Sequence, residues 1–376
     1  MRHAILGAGG VGLALGAALA RAGHEVVLVM RESSRARYRG VIDVHSKLHG
    51  DLAVEARAVE RLDEPVDVLW VTVKAPALDA ALARVAPRLT PDSVVPLLNG
   101  LDHPRSLRTR FGPRQLVGAI LIEAERTAPG RVTWNSLYAE ISLATTDGGR
   151  AEGGPEDRDR AGEDPEGRGH TGEDPEDRGH TGDDPEDRGH TGDDPEDRGH
   201  TGDGPERGAG TGGRRLGGLA EVLADAGLGC TPERDPASVL WRKLVLLLPL
   251  ALATTVADGP LGIVRRRPEL SALLRDSARE ACAVAAADTV AVDARNLLHT
   301  LDTLPGRTDT SLHRDVAAGV RPTELAALTE PVLRRARDHH VAVPALTELA
   351  RRAAERERQA GLPAPHRSTY RKGETS

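Results

Sequence analysis

The 376 residues are enough for two or three domains, and with 39% of them hydrophobic a sizeable core is possible. Two cysteines, Cys230 and Cys282, exclude a disulfide framework or a thiolate metal cluster. Residues 151–210 carry 21 acidic and seven basic residues in a chain of net charge −7, so an acidic stretch sits in a mildly basic body. That body suits an anionic cofactor or substrate and is too weakly and diffusely charged for nucleic acid.

In chain order, residues 1–146 alternate short apolar strands (His3–Leu6, Glu25–Met30, Val66–Val73, Ser93–Leu98) with helical patterns (Val11–Ala22, Ala75–Ala86). Such alternation predicts a parallel sheet covered by helices, a Rossmann-type α/β domain. Between the first strand and first helix runs Gly7-Ala8-Gly9-Gly10-Val11-Gly12. A glycine loop in this setting is a dinucleotide fingerprint. Gly7 permits the tight turn, Gly9 lets backbone approach the pyrophosphate, and Gly12 lets helix and strand pack closely. The helix N-terminus then offers free N–H groups to phosphate.

The second strand leads into Arg31, where NAD-selective folds carry an acid for the ribose hydroxyls. A guanidinium there pairs with a 2′-phosphate, so NADPH is the expected cofactor. Glu32 is the rival, as a ribose ligand if the strand ends one residue later.

Residues 147–213 repeat a ten-residue unit (GEDPEGRGHT, GEDPEDRGHT, GDDPEDRGHT twice, then a decayed copy). With almost nothing apolar to bury, the stretch is expected to be a disordered insert. Its histidines (His170, His180, His190, His200) recur because the unit was duplicated, and no metal site is expected. Deleting about 150–212 should leave the fold intact, because closure entropy grows slowly with loop length.

Residues 214–362 read as an all-α domain, with helix-like spacing over Leu216–Ala226, Ala237–Val256, Pro268–Thr289, Pro322–His339 and Pro344–Arg356. Pro322 and Pro344 are placed in first helical turns, which tolerate proline. The apolar run Leu244–Val256 is shorter than the roughly 20 residues of a membrane span and reads as a core helix. No secretory signal is expected at the N-terminus, residues 363–376 read as a flexible tail, and a soluble cytoplasmic protein is the expectation.

Several further segments are similar to landmarks of the ketopantoate reductase family, in the right order. The opening AILGAGGVGLALGAALARAGHEVVLVMR resembles the family's start. VTVKAPALDAAL carries Lys74, LLNGLDH carries Asn99 and Gly100, and APGRV resembles a further turn. LWRKL carries Lys243, TSLHRDVAAGVRPTEL carries Ser311, Asp315 and Glu324, and ARDHHVAVPALTEL resembles the penultimate stretch. The resemblance implies reduction of the ketone of a 2-oxo acid by NADPH, in a cleft between the two domains of a monomer or homodimer. It assigns Lys243 and Glu324 to catalysis and Asn99 and Ser311 to substrate. Lys74, Asn99 and Glu324 would also lie at the cofactor. Each residue has a plainer reading: Lys243 snorkelling, Glu324 complementing a helix dipole, Asn99-Gly100 an ordinary turn, Ser311 a helix cap, Lys74 a surface lysine.

The chain also departs from the family pattern. Leu247 and Ala251 stand where asparagines are expected four and eight residues after the lysine, which makes that wall greasier. Val320 looks like one extra residue between Asp315 and Glu324. Three functions are therefore open: a reductase of a less polar 2-oxo acid, the 2-dehydropantoate 2-reductase of pantothenate (coenzyme A) synthesis, or an NADP(H)-binding protein that has lost catalysis.

Overall fold

The structure, a computed structural model, describes residues 1–146 and 211–360. The expected insert and tail lie outside the described residues, except that 211–213 open a helix. The N-terminal elements are β1 (Arg2–Leu6), α1 (Gly10–Arg21), β2 (Glu25–Val29), α2 (Glu32–Arg35), β3 (Val41–Ser46), β4 (Gly50–Glu55), β5 (Arg57–Val59), β6 (Val68–Val71), α3 (Leu78–Leu82), β7 (Ser93–Pro96), α4 (His103–Phe111), β8 (Leu116–Leu121), β9 (Ala124–Ala128), β10 (Arg131–Trp134) and β11 (Glu140–Thr145).

The expected parallel sheet has strand order β5-β2-β1-β6-β7, with every neighbouring pair parallel. Side chains alternate across it. Ile5, Val26 and Leu28 face α1 (Leu13, Ala14, Ala17), while Ala4, Leu6, Val27 and Val29 face α3 and α4 (Leu78, Leu82, Leu107, Phe111). The helix expected over Ala75–Ala86 is shorter: a 3-10 turn at Ala75–Ala77 leads into α3, which ends at Leu82. Two further sheets flank it: β4-β3-β10-β9 packs on α1, and β8, beside β7, pairs with β11 in a sheet completed by β12 (Gly229–Pro232) in the order β12-β11-β8.

The remaining elements are α5 (Thr211–Asp225), β12 (Gly229–Pro232), α6 (Pro236–Ala257), α7 (Leu261–Arg265), α8 (Pro268–Ala287), α9 (Ala294–Thr303), α10 (Ser311–Ala317), α11 (Leu325–Asp338) and α12 (Pro344–Ala360). Residues 214–232, grouped with the helical half from sequence, pack on the N-terminal half. Strand β12 runs parallel to β11, and Leu219, Leu223, Ala226 and Leu228 share a core with Ile141 and Leu143. The apolar stripe of α5 is amphipathic and needs a sheet to cover it, and β11 supplies that sheet.

The ends of the intervening stretch meet, since a Cβ on Gly212 would lie 3.2 Å from Thr145 Cγ2. Removing residues 150–209 should therefore leave the melting temperature unchanged or slightly raised and NADPH affinity intact. Aggregation, or loss of dinucleotide binding, would contradict this.

Helix α6 is the axis of the helical half. Asp235 caps it by accepting from Ala237 N and Ser238 N, both at 3.0 Å, with Pro236 in the first turn. Among the described residues it is the one helix long and apolar enough to cross a membrane, but most of its apolar length is enclosed by the fold. Leu244, Leu248 and Leu252 join the core shared with α8 and α12 (Leu274, Ala278, Leu346, Leu349). At its N-terminal end Val239 is buried against Val117, Ala119 and Ala144 of the sheets. That contact brings Lys243, one turn further along the same face, to the N-terminal half.

The helix expected from Pro322 starts instead at Leu325, after a cis Arg321–Pro322 bond. Pro344 does sit in the first turn of α12. Val320, read from sequence as one residue more than the family pattern, lies in the turn that ends α10. There Gly319 N–H bonds Val316 O (3.1 Å) and Val320 N–H bonds Asp315 O (2.9 Å), a Schellman closure that leaves Val320 exposed.

Candidate active site

The carboxyl ends of β1, β2, β6 and β7 lie side by side: Leu6 is opposite Val29 and Val71, and Val71 is opposite Pro96. The segments leaving them carry the glycine loop, Arg31, Lys74 and Asn99. This edge, where a parallel sheet opens a crevice, is the general ligand site of such folds.

At the loop, Gly7 has φ +111°, and a Cβ there would lie 2.6 Å from Val73 Cγ1. A Cβ on Gly12 would overlap Gly7 O and lie 2.6 Å from Thr72 Oγ1. A Cβ on Gly9 would meet nothing within 4 Å. So Gly7 and Gly12 satisfy the protein's own packing, whereas Gly9 borders open space in front of α1. That helix starts there without a side-chain cap. Open space and uncapped amides are what a pyrophosphate requires.

Arg31 follows β2 as the residue before α2. Arg126, from β9, reaches the same place and donates to Ser34 Oγ at 3.4 Å. Burial lowers the pKa of Arg126, and the nearby charges of Arg31 and Arg37 lower it further. Crowded guanidiniums of this kind are relieved by an anion. Glu32 is exposed in the first turn of α2. Arg126 was missed from sequence because only the β9–β10 hairpin carries it there.

On the other side, Glu324 is 4% exposed and reaches back to the sheet edge. Its carboxylate accepts from Ala75 N at 3.4 Å and from Asn99 Nδ2 at 3.3 Å. It sits in the capping position of α11 without capping it, so its side chain serves the cleft. Lys74 is ion-paired with Asp315 of α10, a second link between the halves. Gly100 has φ +99°, and a Cβ there would lie 2.8 Å from Ala327 O, so the Asn99-Gly100 turn can press against α11 only as glycine.

Lys243 lines a narrow cleft together with Leu98, Asn99, Gly100, Ala119 and Leu247. The side chain keeps some accessible area where the cleft opens, yet enough protein surrounds the ammonium to desolvate it. Burial brings its pKa down to about 8, against the pull of Glu324. Glu324 is pushed the other way, upward, chiefly by burial, with Ala75 N–H, Lys74, Asn99 and Lys243 opposing. A lysine and a carboxylate moved toward neutrality in one cleft are equipped for proton transfer.

The two departures near Lys243 differ. Leu247 lines the cleft, whereas Ala251 is enclosed in the helical core. Ser311 lies in the first turn of α10, one turn before Asp315. It is not the cap, since Thr310 Oγ1 accepts the capping bond from His313 N, and no hydrogen bond joins it to Glu324 or Lys243.

Residues 3–148 match the family model described as ketopantoate reductase PanE/ApbA, and residues 237–357 match that of its C-terminal domain. The chain belongs to the ketopantoate reductase family. A curated 2-dehydropantoate 2-reductase from Halobacterium salinarum is 30% identical over 144 residues, which is 38% of this chain and 47% of that relative. An uncharacterized oxidoreductase of Bacillus subtilis is 26% identical over 157 residues, 40% of this chain and 51% of its own. The matches thus span about half the length of these curated relatives.

Among solved structures, the 2-dehydropantoate 2-reductase of Geobacter metallireducens has a TM-score of 0.71 at 21% identity, covering 94% of this chain and 99% of its own. D-mandelate dehydrogenase, solved with NADH and anilino(oxo)acetate, has a TM-score of 0.71 at 17% identity, covering 96% and 100%. At these identities the likeness is one of fold. Within this ketopantoate reductase family member, the glycine loop joins β1 to α1 and Leu247 lines the cleft beside Lys243.

Proposed function

We propose that this protein reduces the ketone of a 2-oxo acid to the 2-hydroxy acid, using NADPH. The observation that carries the reading is Lys243: a desolvated ammonium, held beside Asn99 and within the field of Glu324 at the carboxyl edge of the sheet. The dinucleotide, when bound, supplies the hydride that reaches the carbonyl carbon. Lys243 gives its proton to the carbonyl oxygen as negative charge develops there and becomes a neutral amine, later reprotonated from solvent. Asn99 orients the reacting groups, Ser311 meets the substrate's polar end, and Glu324 would accept from a hydroxyl in those substrates that carry one. The links from Glu324 to Ala75 and Asn99, and from Lys74 to Asp315, hold the halves together and exclude water.

Gly7, Ala8, Gly9, Gly10, Val11 and Gly12 would cradle the pyrophosphate. Arg31 and Arg126 would take the 2′-phosphate, the preference for NADPH over NADH. Replacing Arg126 with alanine is expected to raise KM for NADPH about tenfold or more, the scale of a charged hydrogen bond, and to leave KM for NADH unchanged. Equal losses with both cofactors would argue against the assignment.

The acid form of Lys243 is lost as pH rises through about 8. Reduction should therefore fall above that pH, while oxidation of the hydroxy acid rises. A pH profile of kcat in both directions checks this, and parallel limbs in the two directions would oppose it.

Leu247 on the cleft wall favours a substrate less polar than 2-dehydropantoate, because a hydroxyl facing leucine goes unpaired. The test is NADPH oxidation with 2-dehydropantoate and with apolar 2-oxo acids such as phenylglyoxylate. Faster turnover of the apolar acids is expected. A strong preference for 2-dehydropantoate would make this a pantothenate-pathway enzyme, and NADPH binding with no turnover would leave a binding protein only. The same reading puts the protein in the cytoplasm, where the thiols Cys230 and Cys282 stay free. A structural neighbour from Staphylococcus aureus is described as dimeric, and a monomer or homodimer is proposed here.

A further inference from the structure

Of the five large apolar side chains that stand exposed among the described residues, three belong to one place: Leu121, Leu137 and Tyr138. Leu121 ends β8, and the other two lie in the turn from β10 to β11. That turn is pinned to the residue two places beyond Leu121. Asn135 N–H donates to Glu123 O at 2.7 Å, Glu123 N–H donates to Ser136 Oγ at 3.1 Å, and Ser136 Oγ donates to Tyr138 O at 2.6 Å. Apolar side chains gathered at a surface rather than scattered mark a binding site.

The pleat fixes the direction of Leu121. On β8 and β11, Leu116, Ile120, Ile141 and Leu143 are buried in the core that contains α1, whereas Val117, Ala119 and Ala144 are buried against Val239 and Leu240 of α6. Leu121 is two residues beyond Ala119 and so lies on the α6 face. Ala119 itself lines the cleft with Lys243, Leu240 and Leu247. Strand β8 runs beside β7, with Val94 bridged in parallel to Gln115 and Gly118 close against Pro96 O. Counting on in step, Ala119 is level with Leu98 and Leu121 with the Asn99-Gly100 turn. Ala139 is buried with Ile141 on the opposite face, so Tyr138, the residue before it, turns to the Leu121 side. Glu140, opposite Leu121 in the ladder, leaves it uncovered. Its carboxylate lies over Gly229, where a Cβ would overlap it. The helix side matches: Leu240, Lys243 and Leu247 follow at helical spacing, each partly accessible.

We propose that Leu121 and Tyr138 carry the apolar wall of the Lys243 cleft outward and determine specificity, binding with Leu240 and Leu247 the aliphatic or aryl side chain of a 2-oxo acid. This rests on the reading of the cleft as the site of a ketone reductase. The carboxylate and ketone of the substrate lie at the inner end, beside Lys243 and Asn99, and the side chain runs out along the strip. The strip is continuous with the cleft through Ala119, which favours a small molecule over a second copy of the chain. Three side chains also fall far short of the roughly 800 Å² a side that a stable protein interface buries. Leu121 is 46% exposed and Tyr138 52%, so both have surface left for a ligand to cover.

The test uses oxamate and its N-ethyl, N-propyl and N-butyl derivatives, which carry the carboxylate and carbonyl of a 2-oxo acid but are not reduced. Each is titrated by calorimetry into the full-length protein saturated with NADPH. Every added methylene should lower Kd about threefold to fourfold, the effect of burying one such group. In Leu121→Ser and in Tyr138→Ser the gain should shrink to less than about twofold per methylene, while oxamate itself binds as before. Leu121→Met, close in volume, should keep the full gain. Both positions are at the surface, so the variants should melt with the unaltered protein. No gain with chain length in the unaltered protein, or an unchanged gain in either folded serine variant, overturns the proposal. A changed oligomeric state with an unchanged gain also overturns it and makes the strip an interface between copies. Because the readout needs no turnover, the two readings fail separately. Length-dependent binding with no reduction of any 2-oxo acid would end the reductase reading and leave the strip assigned.

Discussion

Replacing Lys243 with alanine is expected to lower kcat for reduction about a hundredfold to ten-thousandfold, the range for loss of a positioned general acid, while NADPH binds as before. The separation follows from position. The glycine loop and Arg31 sit at the ends of β1 and β2, whereas Lys243 belongs to α6 and touches the site through the cleft shared with Asn99. Lys243→Arg is the sharper variant. It keeps a positive charge near buried Glu324, so the carboxylate is not left uncompensated, but a guanidinium does not give up a proton in this pH range. It should fold, bind NADPH and remain nearly as slow as alanine. Small primary amines should partly rescue the alanine variant and fail to rescue arginine. Steady-state NADPH oxidation and a cofactor titration check all of this, and full-rate reduction by either variant would remove Lys243 from the chemistry.

Two substitutions in the glycine loop should fail in opposite ways. A methyl group on Gly12 would overlap Gly7 O and crowd Thr72 Oγ1, whose hydroxyl already donates to Gly7 O at 2.7 Å. Gly12→Ala must push α1 off the sheet. Overpacking of this sort costs about 1–3 kcal/mol, a fall of several degrees in melting temperature, and it takes the phosphate site with it. A methyl group on Gly9 meets nothing within 4 Å, so Gly9→Ala should melt with the unaltered protein. It should nevertheless weaken NADPH binding about tenfold or more, because the methyl occupies space that backbone and pyrophosphate need to share. Thermal melts beside fluorescence titrations distinguish the two. If Gly9→Ala bound NADPH normally, the open space before α1 would not be the phosphate site.

Strands β1, β2, β6 and β7 of the parallel sheet were legible because each is a short apolar run, largely buried, and α1 because a glycine fingerprint precedes it; the edge strand β5, three residues with Arg57 exposed, was not. Strands β3, β4, β9 and β10 were not legible. They are half exposed, β4 alternating exposed and intermediate residues, and they pair mainly with one another. The glycine-loop residues and the position of Arg31 after β2 also follow from local sequence. Glu324 does not. Its neighbourhood reads equally as a helix start, and only the return of the chain to Ala75 and Asn99 gives its carboxylate another task. Arg126 was missed for the same reason, since its place beside Arg31 depends on a hairpin. The sequence also ranked Leu247 and Ala251 as equal losses, whereas the packing puts Leu247 on the cleft and Ala251 in the core.

The most direct test of a ketone reductase centred on Lys243 is to follow the hydride. NADPH carrying deuterium at its transferable C4 position should deliver the label to C2 of the 2-hydroxy acid formed from phenylglyoxylate or 2-dehydropantoate, and transfer should all but vanish in Lys243→Ala. Product without deuterium at C2, or equal transfer by the wild type and Lys243→Ala, would contradict the account.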